Sequence, residues 1–313
     1  MTWKLTFKGK LSTSFFNRLS QVVNDADYIC AMMSFKRILD FYIQSSLHVS
    51  LCFVAFYTVV SLEMGFAPSM LELVAVGCST LVGYNIAKYV HLLKENFQFN
   101  VAIKILTGVS ALIAVIAVFQ LGVYAVILFG VCSILTALYS LPEIIGKSFR
   151  QIPVVKLITI GVSWSVLAVL LPHIMYENGN YFKTHSAFHF ISSPDYQELV
   201  SAVLKYALFV IALCIPFEIR DLKYDAPELR TLPQLIGVEK TKYVGIFLLL
   251  IYGAMELENY GDQQLTVILT GCILTLTALS IWFADRFKSD YYASLFVEAI
   301  PILWLGLFVV FGI

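Results

Sequence analysis

Of the 313 residues, 59% are hydrophobic and 14% aromatic, and only 13% are charged, against about 25% in an ordinary soluble domain. The 21 Lys and Arg balance the 21 Asp and Glu, which removes any electrostatic reason to expect nucleic-acid binding. The composition therefore excludes a water-soluble enzyme and describes an integral membrane protein.

Residues 1–42 read as a cytoplasmic N-terminal tail. Lys4, Lys8 and Lys10 interrupt its apolar residues, and no small-residue cleavage site follows an apolar core, so it is not a secretory signal. Phe15, Phe16, Leu19, Val22 and Val23 suit one face of an interfacial helix; a plain tail suits them almost equally.

Residues 43–313 form the membrane domain. Apolar stretches at approximately 43–63, 70–93, 99–119, 121–141, 153–173, 197–217, 241–257, 264–284 and 291–312 predict nine spanning helices. No strands of alternating polarity compete, so the fold class is all-α and polytopic. With nine spans, all but Lys183 and Lys205 of the Lys and Arg fall on one side of the bilayer. That side is cytoplasmic by the positive-inside rule, which leaves the N-terminus inside and the C-terminus outside, in what we expect to be the inner membrane.

Among residues within or near the spans, His48 is expected to bond a neighbouring helix. Lys104, Lys156 and Lys205 lie near predicted ends, where they are expected to snorkel. Glu298 is a functional candidate as an intramembrane carboxylate, unless its closeness to Asp290-Tyr291-Tyr292 puts it at the interface. The 173–196 outer connection carries His185 and His189 near Asp195, a spacing that suits a metal only if helical. Ser192, Ser193 and Pro194 favour a solvated loop instead. The six cysteines lack any Cys-x-x-Cys, and five lie in apolar spans, where packing explains them.

The chemistry concentrates at the end of the sixth span. Glu218, Asp221 and Asp225 stand at i, i+3 and i+7, on one helical face. Carboxylates converging at a membrane boundary are unfavourable unless they hold or pair with a cation. They suit Mg²⁺, which takes one or two carboxylates and leaves room for phosphate oxygens; a solvated helix end fits the spacing as well.

This arrangement resembles the UbiA-type superfamily of intramembrane prenyltransferases, nine-helix bundles with Asp-rich motifs after the second and sixth helices. Glu218-x-x-Asp221-x-x-x-Asp225 is similar to the second motif. Arg230-Thr231-Leu232-Pro233-Gln234-Leu235-Ile236-Gly237 resembles the stretch that follows it. Leu138-Tyr139-Ser140-Leu141-Pro142, with Arg150, Pro153 and Lys156, resembles the fourth-to-fifth connection. The first motif departs from the family pattern. Asn85 aligns with its Asn, but Ile86, Tyr89 and Leu93 stand where three Asp are expected, and Lys88 lies one turn from Asn85.

The resemblance implies transfer of an isoprenyl group from an isoprenyl diphosphate to an aromatic or other lipophilic acceptor in the bilayer. It implies Mg²⁺ held by Glu218, Asp221 and Asp225. Lys88, Asp221 and Asp225 would be catalytic, and Asn85, Lys88, Tyr139, Arg220 and Arg230 would bind substrate. Tyr84, Tyr139 or Trp164 would shield an allylic cation, if they line the cavity. Three outcomes of the lost motif stay open. Lys88 replaces an ion as a point charge on the diphosphate, or sits beside one retained Mg²⁺, or pairs with the carboxylates in a closed structural cluster. The last suits a non-catalytic homologue that binds isoprenoid lipids. A lipid carrier or transporter is the alternative from another class, although no inverted repeat supports it.

Overall fold

The structure, a computed structural model, describes residues 35–89, 101–140, 154–176, 194–225, 229–258 and 263–313. The proposed interfacial helix, His185 and His189 lie outside these residues. The chain divides into two units between Gln44 and Ser45. Of the first, the described part is one short helix, α1 (Phe35–Gln44).

The second unit is all-helical among its described residues. Its elements are α2 (Leu47–Glu63), α3 (Met70–Tyr89), α4 (Val101–Leu121), α5 (Val123–Ser140), α6 (Val155–Tyr176) and α7 (Pro194–Asp221). A short α8 (Leu232–Ile236) precedes α9 (Val238–Leu257) and α10 (Gln264–Trp282). The last helix, α11 (Tyr292–Phe311), opens with a π-helical turn over Tyr292–Val297 and continues as α-helix from Ile300. Each apolar stretch read from the sequence coincides with one of these helices. Six of them (α3, α4, α6, α7, α10 and α11) are long and apolar enough on their own to cross a bilayer. At 1.5 Å per residue, the 28 residues of α7 extend about 42 Å, beyond the hydrocarbon thickness of about 30 Å.

The helices close into a ring. Each of α2 to α7 packs on the next, α7 packs on α9, α9 on α10 and α10 on α11, and α11 returns to α2. Contacts of α2 with α6 and of α7 with α10 cross the interior. Apolar burial does not draw helices together in lipid, so close backbone approach has to do so. Gly161 supplies one such approach, since a Cβ there would lie 2.6 Å from Ile211 Cγ1 and 3.3 Å from the Ala207 carbonyl. Gly245 does the same for α9, facing Ile215 and Ile281 at about 3 Å. The outward faces of α4 and α5 expose Leu112, Ile116, Phe119, Ile127 and Ile134, as a lipid-facing surface requires.

The middle of the bundle is filled by aromatic rings. Phe56 stacks on Phe209 with centroids 5.9 Å apart, and Phe53 tilts onto Trp164 at 4.4 Å. Tyr206, Tyr252 and Trp304 complete the layer. His48 bonds the Leu295 carbonyl of α11 at 3.0 Å, the neighbouring-helix role expected of it.

Polar clusters lie on both sides of this layer. Lys205 corrects the snorkelling expectation, because its Nζ reaches Glu256 Oε2 at 2.9 Å and Glu63 Oε2 at 3.8 Å inside the bundle. Glu63 also accepts the Tyr206 hydroxyl at 2.5 Å and the Thr270 hydroxyl at 3.1 Å. The side-chain entropy of a snorkelling lysine is given up here because two buried carboxylates from α2 and α9 need its charge.

Candidate functional site

The other cluster is built where α6, α7 and α11 meet. Glu218 and Asp221, three residues apart on the last turn of α7, point the same way. Glu218 is only 2% exposed. Lys156, near the start of α6, places Nζ 2.6 Å from Glu218 Oε1 and 3.8 Å from Asp221 Oδ2. This is a second departure from the snorkelling expectation. The lysine turns inward because a carboxylate this deeply buried is strongly unfavourable without a counter-charge. Arg220 sets Nε and Nη2 each 2.7 Å from Asp221 Oδ1, and its Nη1 donates to the Ser294 hydroxyl on the π-helical turn.

Lys156, Glu218 and Asp221 border a cavity of about 150 Å³. Lys156, Glu218, Asp221 and Glu298 supply its polar wall, and Tyr84, Trp164 and Phe217 part of its apolar wall. Glu298 follows the π-helical turn, and its N–H bonds the Ala293 carbonyl five residues back at 3.1 Å. It is half-buried. Below the cavity, Lys223 Nζ donates to Asp290 Oδ1 at 2.8 Å, and the Tyr224 hydroxyl reaches Oδ2 at 3.3 Å. The Lys223 hydrogen bond holds the Asp290 carboxyl below its ordinary range and raises the Lys223 ammonium above its own.

The structure brings together some of the residues singled out in the sequence and separates others. Glu218, Asp221 and Arg220 belong to the site, and Tyr84 and Trp164 line its apolar side. Lys88 is exposed at the end of α3, with Nζ 5.3 Å from the centre of the Tyr89 ring, and is outside the cavity lining. Asn85 is buried outside the cavity lining. Its amide donates to the Ser45 carbonyl at 3.1 Å and to Thr107 Oγ1 at 2.8 Å. Asp225 lines a separate void of about 20 Å³ that it shares with Lys156, Glu218 and Thr231. The motif's tail has a structural role. Gln234 accepts the Thr231 N–H at 3.0 Å and donates to the Asp225 carbonyl at 3.2 Å, tying the loop to α8. Arg230 is exposed, with φ 47°. The Tyr139 side chain, Arg150 and Pro153 lie outside the described residues. Lys156 and Glu298 are the residues that sequence reasoning left out of the site. The available signal was that each charge lies near the end of a span on the same side of the membrane as the motif.

Mg²⁺ requires open carboxylate oxygens at about 2.0–2.1 Å in near-octahedral geometry. Here a Glu218 oxygen contacts an ammonium and an Asp221 oxygen sits in a guanidinium fork. Among the described residues, no three His, Cys, Asp or Glu side chains gather closely enough to hold a metal. The expected set of Glu218, Asp221 and Asp225 therefore does not fit Mg²⁺ in this arrangement. Lys156 is the basic group of the cavity lining, and Arg220 joins it through Asp221.

Solved structures with this architecture are known. The chain is similar to the apo structure of a UbiA homolog from Aeropyrum pernix K1, with a TM-score of 0.62 at 13% identity, covering 85% of this chain and 99% of that one. It is also similar to a digeranylgeranylglyceryl phosphate synthase, with a TM-score of 0.50 at 14% identity, covering 88% of this chain and 98% of that one. No family model matches the sequence, and no curated protein does. The chain thus has the UbiA-type prenyltransferase fold, and it is a multi-pass membrane protein.

Proposed function

We propose that this protein transfers an isoprenyl group from an isoprenyl diphosphate to a lipophilic acceptor within the membrane. The observation that carries the reading is one cavity in which Glu218 and Asp221 of the second motif, the Lys156 ammonium and an aromatic wall meet inside a UbiA-type bundle, with Arg220 bound to Asp221. The sidedness of Lys and Arg supports a cytoplasmic position for this cavity, in the inner membrane.

In this reading Lys88, Lys156 and Arg220 bind the diphosphate and stabilise charge on its leaving oxygens, the work of a positive clamp in a water-poor site. Glu218 and Asp221 hold Lys156 and Arg220 in place until the donor enters. Tyr84, Trp164 and Phe217 present π faces to the allylic carbon as positive charge develops on it. A cavity of about 150 Å³ is well below the roughly 300–1,000 Å³ that encloses a drug-sized ligand. It takes the polar head, so a long isoprenyl tail has to pass into the bilayer. The groove between α3, α4 and α5, about 310 Å³ and lined by Gly83, Ala114, Val118 and Gly130, is apolar enough to take such a tail.

The direct contact between Lys156 and Glu218 also favours a second reading, in which the ion pairs stay closed and the protein binds isoprenoid lipids without transfer. Purified protein in lipid nanodiscs, given geranylgeranyl diphosphate and a long-chain alkylphenol, separates the two. Release of diphosphate with formation of prenylated phenol, lost in Arg220→Ala, supports transfer. Saturable binding of the donor with no diphosphate release supports the second reading.

A further inference from the structure

A second hollow lies between α9 and α10, away from Glu218 and Asp221. It is a groove of about 440 Å³ on the lipid side of the bundle, where Leu250 and Leu257 are exposed. Small residues create it, Gly253 and Ala254 from α9 and Gly271 and Ala278 from α10. A Cβ on Gly271 would meet nothing within 4 Å. Along α9 the groove runs from Ile246 to Glu256, about 15 Å at the helical rise, or half of a hydrocarbon layer of about 30 Å. Glu256 is the last residue but one of α9. The groove therefore starts at a helix end, where lipid heads lie, and reaches the depth of one leaflet.

Its one charged lining residue among the described residues stands at that helix end. Glu256 is only 4% exposed. Lys205 bonds its Oε2 at 2.9 Å and lies 3.8 Å from Glu63 Oε2, so this ammonium is already shared. Glu256 Oε1 has no hydrogen-bond partner among the described residues. Buried polar atoms are normally partnered, and an acceptor left open at the head of an apolar groove calls for a donor from outside the chain. Two carboxyl groups around one ammonium make this end unsuitable for a phosphate or carboxylate and suitable for a cation. An N⁺–H donor bonds a carboxylate about twice as strongly as a neutral hydroxyl does.

We propose that the groove between α9 and α10 binds a membrane lipid whose head carries a primary ammonium group, which donates to Glu256 Oε1. The chain of the lipid lies along Gly253 and Gly271 toward Ile246. Two carbons separate the ammonium of an ethanolamine head from its phosphate, so the phosphate stays in the headgroup layer while the ammonium enters. The lipid fills a gap that the small side chains of α9 and α10 leave open. This site makes no use of prenyl transfer and stands or falls apart from it.

The test uses the full-length protein, stripped of lipid in detergent and re-equilibrated with equal amounts of phosphatidylethanolamine and phosphatidylcholine of the same chains. Choline carries the same charge and phosphate but has no N–H to donate. Native mass spectrometry reads the retained lipid. Wild type is expected to keep one phosphatidylethanolamine in preference to phosphatidylcholine by about tenfold, the fold-change that one hydrogen bond to a charged group supplies. Glu256→Gln should bring the two lipids to near equality. Gly271→Leu, which fills the groove without touching the charges, should abolish retention of both. Leucine is the better helix former, so α10 is preserved in that variant. Gly108→Leu on α4, where a Cβ also meets nothing within 4 Å, should retain lipid as wild type does. Equal retention of the two lipids by wild type, or no retention of either, overturns the proposal. So does a preference that survives in Gly271→Leu.

Discussion

Replacing Lys156 with alanine should destabilise the protein far more than the same change at Lys88. Lys156 Nζ lies 2.6 Å from an oxygen of Glu218, whose side chain is 3% exposed. Removing one partner of a buried pair leaves an uncompensated charge and typically costs about 3–5 kcal/mol. The Lys156 side chain keeps 27% of its surface, so water reaches that end of the pair. This discounts the expectation to about 2–4 kcal/mol. Alanine is a good helix former, so the loss does not come from α6 itself. The companion variant is Glu218→Gln in the Lys156→Ala background, which removes the stranded charge and should recover most of the loss. The assay is thermal and denaturant unfolding of both single variants and the double variant in one detergent, analysed as a cycle, with a coupling energy of about 1–3 kcal/mol expected. Lys88, exposed at the end of α3, should lose less than about 1 kcal/mol on truncation, as exposed charges do. A Lys156→Ala protein as stable as wild type, or a larger loss at Lys88, would refute the assignment of Lys156 as the neutralising lysine.

Lys205→Met should cost about 3–5 kcal/mol, because it leaves Glu63 and Glu256 buried and facing each other; Glu256→Gln added to it should restore part of the loss in the same unfolding assay. Mg²⁺ alone should not raise the melting temperature of the wild type, since Lys156 and Arg220 cover the carboxylates; a rise abolished by Asp221→Asn would contradict the charge arrangement. The Asp290 carboxyl is held low by Lys223, so its stabilising contribution is present above the unfolded value of about 3.9 and is lost as pH falls through the lower folded value. Asp290→Asn should therefore flatten the stability profile below about pH 4 and leave its shape between pH 5 and 8 unchanged, as followed by unfolding across pH.

Much of the bundle was legible because a bilayer imposes a simple rule: only long apolar helices satisfy their backbone inside it. The stretches around 70–93, 99–119 and 264–284 fall on α3, α4 and α10 for that reason. The second motif was legible because its i, i+3 spacing needs only one helix, and α7 carries Glu218 and Asp221 to the cavity together. Its i+7 member was not. The chain leaves the helix after Asp221, and Gln234 then holds the Asp225 backbone in a loop beside a different void. Partners across helices were hidden as well. Nothing in the local sequence of Lys156 or Lys205 distinguishes a lysine that snorkels from one that turns inward. The difference lies in buried carboxylates on α7, α2 and α9, brought near only by the ring closure. Glu298 was visible as an intramembrane carboxylate, but its direction depends on the extra residue of the π-helical turn, which a 3.6-residue period does not predict.

The central claim is that the donor's diphosphate binds at the end of the bundle among Lys88, Lys156 and Arg220. The most direct measurement is an experimental structure of the protein with geranylgeranyl thiodiphosphate, a slowly ionising donor analogue. The account predicts the diphosphate within hydrogen-bond distance of these three side chains, with its first isoprenyl unit against Tyr84 and Trp164. A diphosphate bound elsewhere, or a cavity still closed by the contact between Lys156 and Glu218 at saturating analogue, would contradict it.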